Sequence, residues 1–361
     1  MTLFAEEFYV KRRRTLQEEI AKSDANALVI GVGAELNALT GHEFFSHERL
    51  TALVLTADSQ VIIAPATDAA SLPTLAGVTV KSWRDGENPY TAIAEIAGGL
   101  TELGRTLTAD HVFGLQAVLD ETRLMSQRFA DMFMVKDPAE IAELAKAGAA
   151  IDRVHEQVPA LLVAGRTEAE VAAELAQLIR REHAEVDFVI VGSGPNGANP
   201  HHDFSDRVLQ PGDPVVVDIG GTLDTGYHSD STRTYVVPGA VASPEFQCAY
   251  QVVLEAQQAA VNAARPGMTA GELDAVARDI ITAADFGDEF SHRLGHGIGL
   301  EIHEQPFIIA GSDLVLEEGM VFSIEPGVYV NGQFGVRIED IVTLTDTGAR
   351  PLNNASKELE C

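Results

Sequence analysis

The chain has 361 residues, with 54 Asp plus Glu against 25 Lys plus Arg and a formal net charge of −29. That length exceeds the usual size of one hydrophobic core and predicts about two domains, while so acidic a chain repels nucleic acid and anionic membranes and excludes both as partners. Two cysteines, Cys248 and Cys361, provide neither a disulfide framework nor the spacing of a metal-binding pair, which points to a reducing cytoplasm.

In chain order, Arg12, Arg13 and Arg14 fall with Lys11, Glu18 and Glu19 on a predicted first helix. They read as a solvated face, not a targeting signal, since no apolar core follows. Short strands are expected at 27–31, 51–56, 61–65, 78–83 and 112–115, interleaved with helices in a separate α/β domain. Gly41 to Arg49, with His42 and His47, reads as a polar loop. Lys136-Asp137-Pro138 precedes an Ala-rich helix and marks the junction, because the residue before proline favours extended backbone. The expected domains are therefore 1–136 and 137–361.

The second domain carries an internal repeat. Gly165-Arg-Thr-Glu-Ala-Glu-Val recurs as Gly267-Met-Thr-Ala-Gly-Glu-Leu. Both copies set Thr three residues before Glu, at Thr167 and Glu170 and at Thr269 and Glu272, which predicts a capping box opening an amphipathic helix. Downstream, Gly212 and Gly319 each lie six residues before an acid, Asp218 and Glu325. A duplicated helix-then-hairpin unit would supply two acids per half, Asp218 with Asp230 and Glu325 with Glu339, around a pseudo-two-fold axis. His296 breaks that symmetry.

Between the copies, VIVGSGPNGA fits the G-x-G-x-x-G fingerprint at Gly192, Gly194 and Gly197. A dinucleotide site would need the last glycine to open a helix, and Pro200 with the polar run His201 to Arg207 forbids one. The segment reads instead as a glycine-rich loop that carries His201 to the rim of a site.

That site is read from acids inside apolar, strand-like runs: PVVVDIGG around Asp218, YHSDSTRTY around Asp230, SIEPGVY around Glu325 and GVRIEDIV around Glu339, with HRLGHGIGLEIHE around His296. A carboxylate flanked by Val215, Val216, Val217 and Ile219 is costly to desolvate unless a cation or hydrogen bonds neutralise it. Two divalent ions, carrying about four positive charges, would balance four carboxylates and share a nucleophilic water. Strand alternation supports the grouping: Arg337 and Glu339 share a face, as do Asp230, Thr232 and Thr234, whereas Asp340 points away and is no ligand. Oxygen donors with one imidazole suit manganese first, with cobalt, iron and zinc chemically admissible.

Across essentially the whole chain these segments resemble the pita-bread metallopeptidases of the M24B group, specifically the Xaa-Pro dipeptidase (prolidase) and aminopeptidase P branch, and bacterial Xaa-Pro dipeptidases most of all. The resemblance implies an α+β fold: a pita-bread (creatinase/aminopeptidase) catalytic domain with a pseudo-two-fold repeat, preceded by a creatinase-type α/β N-terminal domain. It implies Asp218, Asp230, His296, Glu325 and Glu339 as ligands of two metal ions. It further implies His201 and His303 as groups that bind substrate or steady the tetrahedral intermediate, and His292 and Arg337 as substrate-binding residues. Glu325, ligand and neighbour of the shared water, is expected to take its proton. The expected substrate is a short proline-containing peptide, and the expected assembly a homodimer whose N-terminal domain shapes a partner's pocket, with 41–49 a candidate specificity loop. Aminopeptidase P activity on longer peptides and methionine removal are the enzymatic alternatives. A non-catalytic scaffold or a metal-free creatine hydrolase is the other class, against which the intact set of five argues. His202 and His228 have no assigned role at this level.

Overall fold

The computed structural model describes residues 3–45 and 48–359, so His47 and Cys361 lie outside the described residues. The chain forms two compact units, one up to Phe133 and one from Met134 onward. Among the described residues no helix is long and apolar enough to cross a membrane.

The first unit is a six-stranded sheet with β1 (Ala27–Gly31), β2 (Ala52–Thr56), β3 (Gln60–Pro65), β4 (Thr79–Trp83), β5 (Leu100–Leu103) and β6 (Glu121–Leu124), in the order β4-β3-β2-β1-β5-β6. Alternation along β1 sends Leu28 and Ile30 into one apolar core and Ala27 and Val29 into another, as expected of a central strand buried on both faces. Four of the predicted strands form with ends shifted by at most one residue. The strand expected at 112–115 does not: Ala109–Gln116 is a helix. Val112 and Leu115, three apart, turn inward while Phe113 is 69 % exposed, a helical spacing that a four-residue apolar run conceals. The strands β5 and β6 went unanticipated.

A second correction concerns the arginine run. The first helix, Glu6–Lys22, is present, but Arg13 is not on a solvated face. It is fully buried and donates to Gln60 Oε1, Leu39 O and Ala76 O at 2.7–2.8 Å, closing off carbonyls that would otherwise be orphaned.

The second unit repeats itself in three dimensions. Helices Glu168–Glu182 and Ala270–Ala283 both open with complete capping boxes, from Thr167 and Thr269. Each cap residue forms an isolated β-bridge with the segment ahead of the next acid-bearing strand, Thr167 with Val208 and Thr269 with Val315. Gly212 and Gly319 both adopt left-handed backbone, φ +83° and +85°, and donate to Val237 O and Leu344 O at 2.9 Å. Only glycine takes that turn without strain, so the two glycines mark equivalent entries into the acid-bearing strands.

In the first half β7 (Glu185–Ser193), β8 (Pro214–Thr222) and β9 (His228–Val236) form an antiparallel sheet. Val215, Val217 and Ile219 join the core under the helices, which turns Asp218 to the opposite face. In the second half β10 (Gly295–Gly297), β11 (Glu304–Ile308), β12 (Val321–Ile324), β15 (Asp340–Thr345) and β16 (Gly348–Pro351) form a sheet ordered β11-β10-β12-β15-β16, with β13 (Gly327–Val330) and β14 (Phe334–Arg337) as a separate hairpin. The duplication is thus looser than a simple hairpin repeat. Glu325 follows the end of β12, and Glu339 sits in the break between β14 and β15.

Behind these strands, Arg233 donates to Thr232 O and Glu339 O and pairs with buried Asp340. It also donates to Ala355 O and Ser356 O, while Lys357 pairs with Asp340.

Candidate metal centre

The five proposed ligands come together on one face. Donor atoms of Asp218, Asp230 and Glu339 lie within 4.8 Å of one another, as do those of His296, Glu325 and Glu339, and Glu339 belongs to both groups. Asp218 and Asp230 reach the site from adjacent strands, where Asp218 pairs with Thr232 and Gly220 with Asp230. Asp230, His296 and Glu339 are at most 3 % exposed. Asp340, on the far side, makes its contacts with Arg233, Gln257 and Lys357, as strand alternation requires.

Thr232 and Arg337 organise the acids. Thr232 Oγ1 lies 2.7 Å from Asp218 Oδ1 and 2.9 Å from Glu339 Oε2 and accepts from Arg337 Nε at 3.0 Å. Arg337 also donates to Asp218 Oδ2 at 2.6 Å, Tyr329 Oη at 2.7 Å and Pro200 O at 3.3 Å. Glu325 Oε1 accepts from Ser323 Oγ at 2.9 Å and lies 3.2 Å from His296 Nε2. His296 Nδ1 donates to Gly297 O at 3.1 Å, which aims Nε2 at the acids, the orientation a metal-binding imidazole needs.

Without a cation these charges disturb one another strongly. Burial, reinforced by Asp218, pushes the Asp230 carboxyl well above the usual range. Burial with Asp230, Glu325 and Asp218 does the same to Glu339. Burial would raise Glu325 too, but its hydrogen bond to His296 and the charges of His296, His292 and Arg337 bring it down to about 2. Burial opposes the charged form of His296, yet Glu325 and Asp230 lift it to about 9. Glu339 Oε1 is buried with no hydrogen-bond partner, and such an orphan is costly unless something neutralises it. The residues therefore fit divalent cations: oxygen-rich, mutually repelling, and holding one acceptor with nothing to accept from.

The other sequence candidates line the rim or support it. His303 is exposed, its ring 4.1 Å from that of His296, and its nitrogen falls within 4.8 Å of donors of Asp230 and His296. Desolvation and the charge of His296, with smaller contributions from Arg293 and His201, lower it to about 4. His292 Nδ1 donates to Arg293 O at 2.7 Å, leaving Nε2 to accept from Tyr329 Oη at 3.0 Å, which itself accepts from Arg337. His292 thus acts on the site through Tyr329, a residue the sequence did not flag.

His201 is exposed on the loop after Gly194–Ala198. Gly197 and Gly335 let that loop meet β14, since a Cβ on Gly335 would fall 1.8 Å from Gly197 O. Glu168 fixes the loop from beneath. Fully buried, it accepts from Ser193 N and Oγ, Asn196, His202 Nε2, and Ser205 N and Oγ at 2.6–3.1 Å. Burial would raise its carboxyl, but the bonds from Ser193, His202 and Ser205 hold it below the usual range. His202 is thereby explained as a strut. His228, on Asp187 at 2.8 Å and Thr222 at 2.9 Å, is likewise structural. Glu168→Gln is expected to keep the wild-type metal content and lose about tenfold in turnover by loosening the support of His201. Metal analysis beside steady-state kinetics checks this, and an unchanged rate would show that the loop holds without Glu168.

A duplicated α+β unit closing on four carboxylates and an imidazole defines a pita-bread metallohydrolase. The chain belongs to metallopeptidase family M24, whose model matches residues 142–346, and a Creatinase/Prolidase N-terminal domain matches 12–132. It is 47 % identical to the probable dipeptidase PepE of Mycobacterium tuberculosis, over 99 % of this chain and 97 % of that one. It is 36 % identical to the Xaa-Pro dipeptidase of Lactobacillus helveticus, over 96 % and 97 %. The crystal structure of dipeptidase PepE from Mycobacterium ulcerans superposes with a TM-score of 0.95 at 47 % identity, covering 99 % and 98 %.

Proposed function

We propose that this metallopeptidase is a proline dipeptidase that cleaves Xaa-Pro dipeptides with two divalent ions, manganese first, held by Asp218, Asp230, His296, Glu325 and Glu339. The observation that carries it is that Glu339 falls in a group with Asp218 and Asp230 and in another with His296 and Glu325, so that two ions held there would have a ligand in common. Relatives named dipeptidase and Xaa-Pro dipeptidase support the substrate class. Ions bound there would supply Lewis acidity toward the scissile carbonyl and make a water more acidic.

The chain's own groups do the rest. Glu325, fixed by Ser323 and His296, accepts the proton of the attacking water. His303, with His201 nearby, offers a ring N–H to the oxygen of the tetrahedral intermediate. Arg337 holds Asp218 and, through Tyr329, His292 in register. The proton then passes to the prolyl nitrogen as the bond breaks. An Xaa-Pro bond is a tertiary amide without N–H, so a site organised around the carbonyl suits it better than one built on backbone pairing.

The test is to strip the protein with chelator, restore manganese, and compare an Xaa-Pro dipeptide with a tripeptide carrying proline second. Metal-dependent cleavage of the dipeptide alone is expected. Cleavage of both would move the assignment to aminopeptidase P, and cleavage of neither with metal bound would favour a binding scaffold.

A further inference from the structure

A dipeptide brings a free carboxylate within one residue of the bond to be cut, about 3.8 Å in Cα spacing, into a site already holding four acids. A cation of the chain that faces the site and is not already paired would offset that charge. Arg337 is committed to Asp218, Thr232, Tyr329 and Pro200. Arg278 stacks on Phe290 at 4.2 Å but is paired with Asp274 through Nε and Nη2.

Arg293 differs from both. Its guanidinium lies 4.4 Å over the ring of Phe307, and among the described residues no carboxylate pairs with it, although the chain has 54 acids for 25 bases. Phe307 is the direct cross-strand partner of His296, and directly opposed residues project from the same face of a sheet. The ring therefore stands on the face from which His296 reaches the acids, with Arg293 above it and within electrostatic reach of His303. Stacking on an aromatic plane pre-orients a guanidinium and leaves its edge N–H groups to grip a carboxylate in two places.

We propose that Arg293 receives the C-terminal carboxylate of the substrate and so selects a dipeptide over a longer or blocked peptide. This rests on the dipeptidase reading and adds the residue that sets substrate length. The test compares an Xaa-Pro dipeptide acid with its C-terminal amide on the manganese-loaded wild type, Arg293→Gln and Arg293→Lys. Alongside, calorimetry measures binding of the acid and amide of a non-hydrolysable analogue in which the scissile carbonyl is a methylene.

For the wild type the acid is expected to bind about 10- to 100-fold tighter than the amide. Arg293→Gln should erase that preference by raising KM for the acid with kcat within a few fold, and Arg293→Lys should restore part of it. A preference that survives in Arg293→Gln, or an equal loss on acid and amide, overturns the assignment. If the wild type turns over neither peptide, the dipeptidase reading fails, while the binding comparison still decides the role of Arg293.

Discussion

Glu339→Gln is expected to abolish metal-dependent turnover, by at least about a thousandfold in kcat/KM, equivalent to about 4 kcal/mol, while leaving the metal-free fold standing. Glu339 is the acid that joins the group holding Asp218 and Asp230 to the group holding His296 and Glu325, so its loss is expected to weaken both positions. In the metal-free protein its Oε1 accepts nothing, and the amide oxygen can keep the bond from Thr232, so little native bonding is removed. Thermal unfolding in chelator and in manganese separates the two effects. A ligand at a hundred times its Kd stabilises a protein by about 2.7 kcal/mol, and that increment should vanish in the variant. If manganese still raises the melting temperature as it does in the wild type, Glu339 is not the shared ligand.

Arg337→Met carries the largest expected loss of stability. The side chain is buried and its guanidinium serves Asp218, Thr232, Tyr329 and Pro200 at once. Removing one partner of a buried, hydrogen-bonded pair typically costs about 3–5 kcal/mol, because the other charge is left uncompensated. Denaturant unfolding in chelator should show a loss of that size. Saturating manganese should recover part of it, since a cation beside Asp218 replaces the missing charge. A loss under about 1 kcal/mol, the range of an exposed ion pair, would mean that Arg337 contributes little to holding the acids.

The cluster of acids was legible because its signals are local. An acid in a run of valines is costly wherever it lies, and a two-residue period decides which face it takes, so Asp218, Asp230, Glu339 and the exclusion of Asp340 could be read from strand fragments. Residues that act through distant contacts could not. Glu168 reads as the first residue of a capped helix, yet its bonds reach Ser193 and Ser205. Tyr329 reads as a strand aromatic, and only the fold sets it between Arg337 and His292. Arg13 shows the same limit in reverse: a run of three arginines resembles a solvated face until the carbonyls of Leu39 and Ala76 are found beneath one of them. The helix Ala109–Gln116 was lost because a four-residue apolar stretch fits either period.

Neighbouring residues in the site strands face opposite ways: Thr232 and Glu339 toward the site, Arg233 and Asp340 toward their ion pair behind it. Pairing slipped by a single position would still offer a carboxylate, Asp340, where Glu339 belongs, so the acids alone cannot tell right from wrong. Such a slip of β15 would leave Arg233 where it is but withdraw Asp340 from Arg233, Gln257 and Lys357, so the error is felt on the face behind the site. The contacts of Asp340 with Arg233, Gln257 and Lys357 thus favour the observed register on a strand where one carboxylate could otherwise stand in for its neighbour.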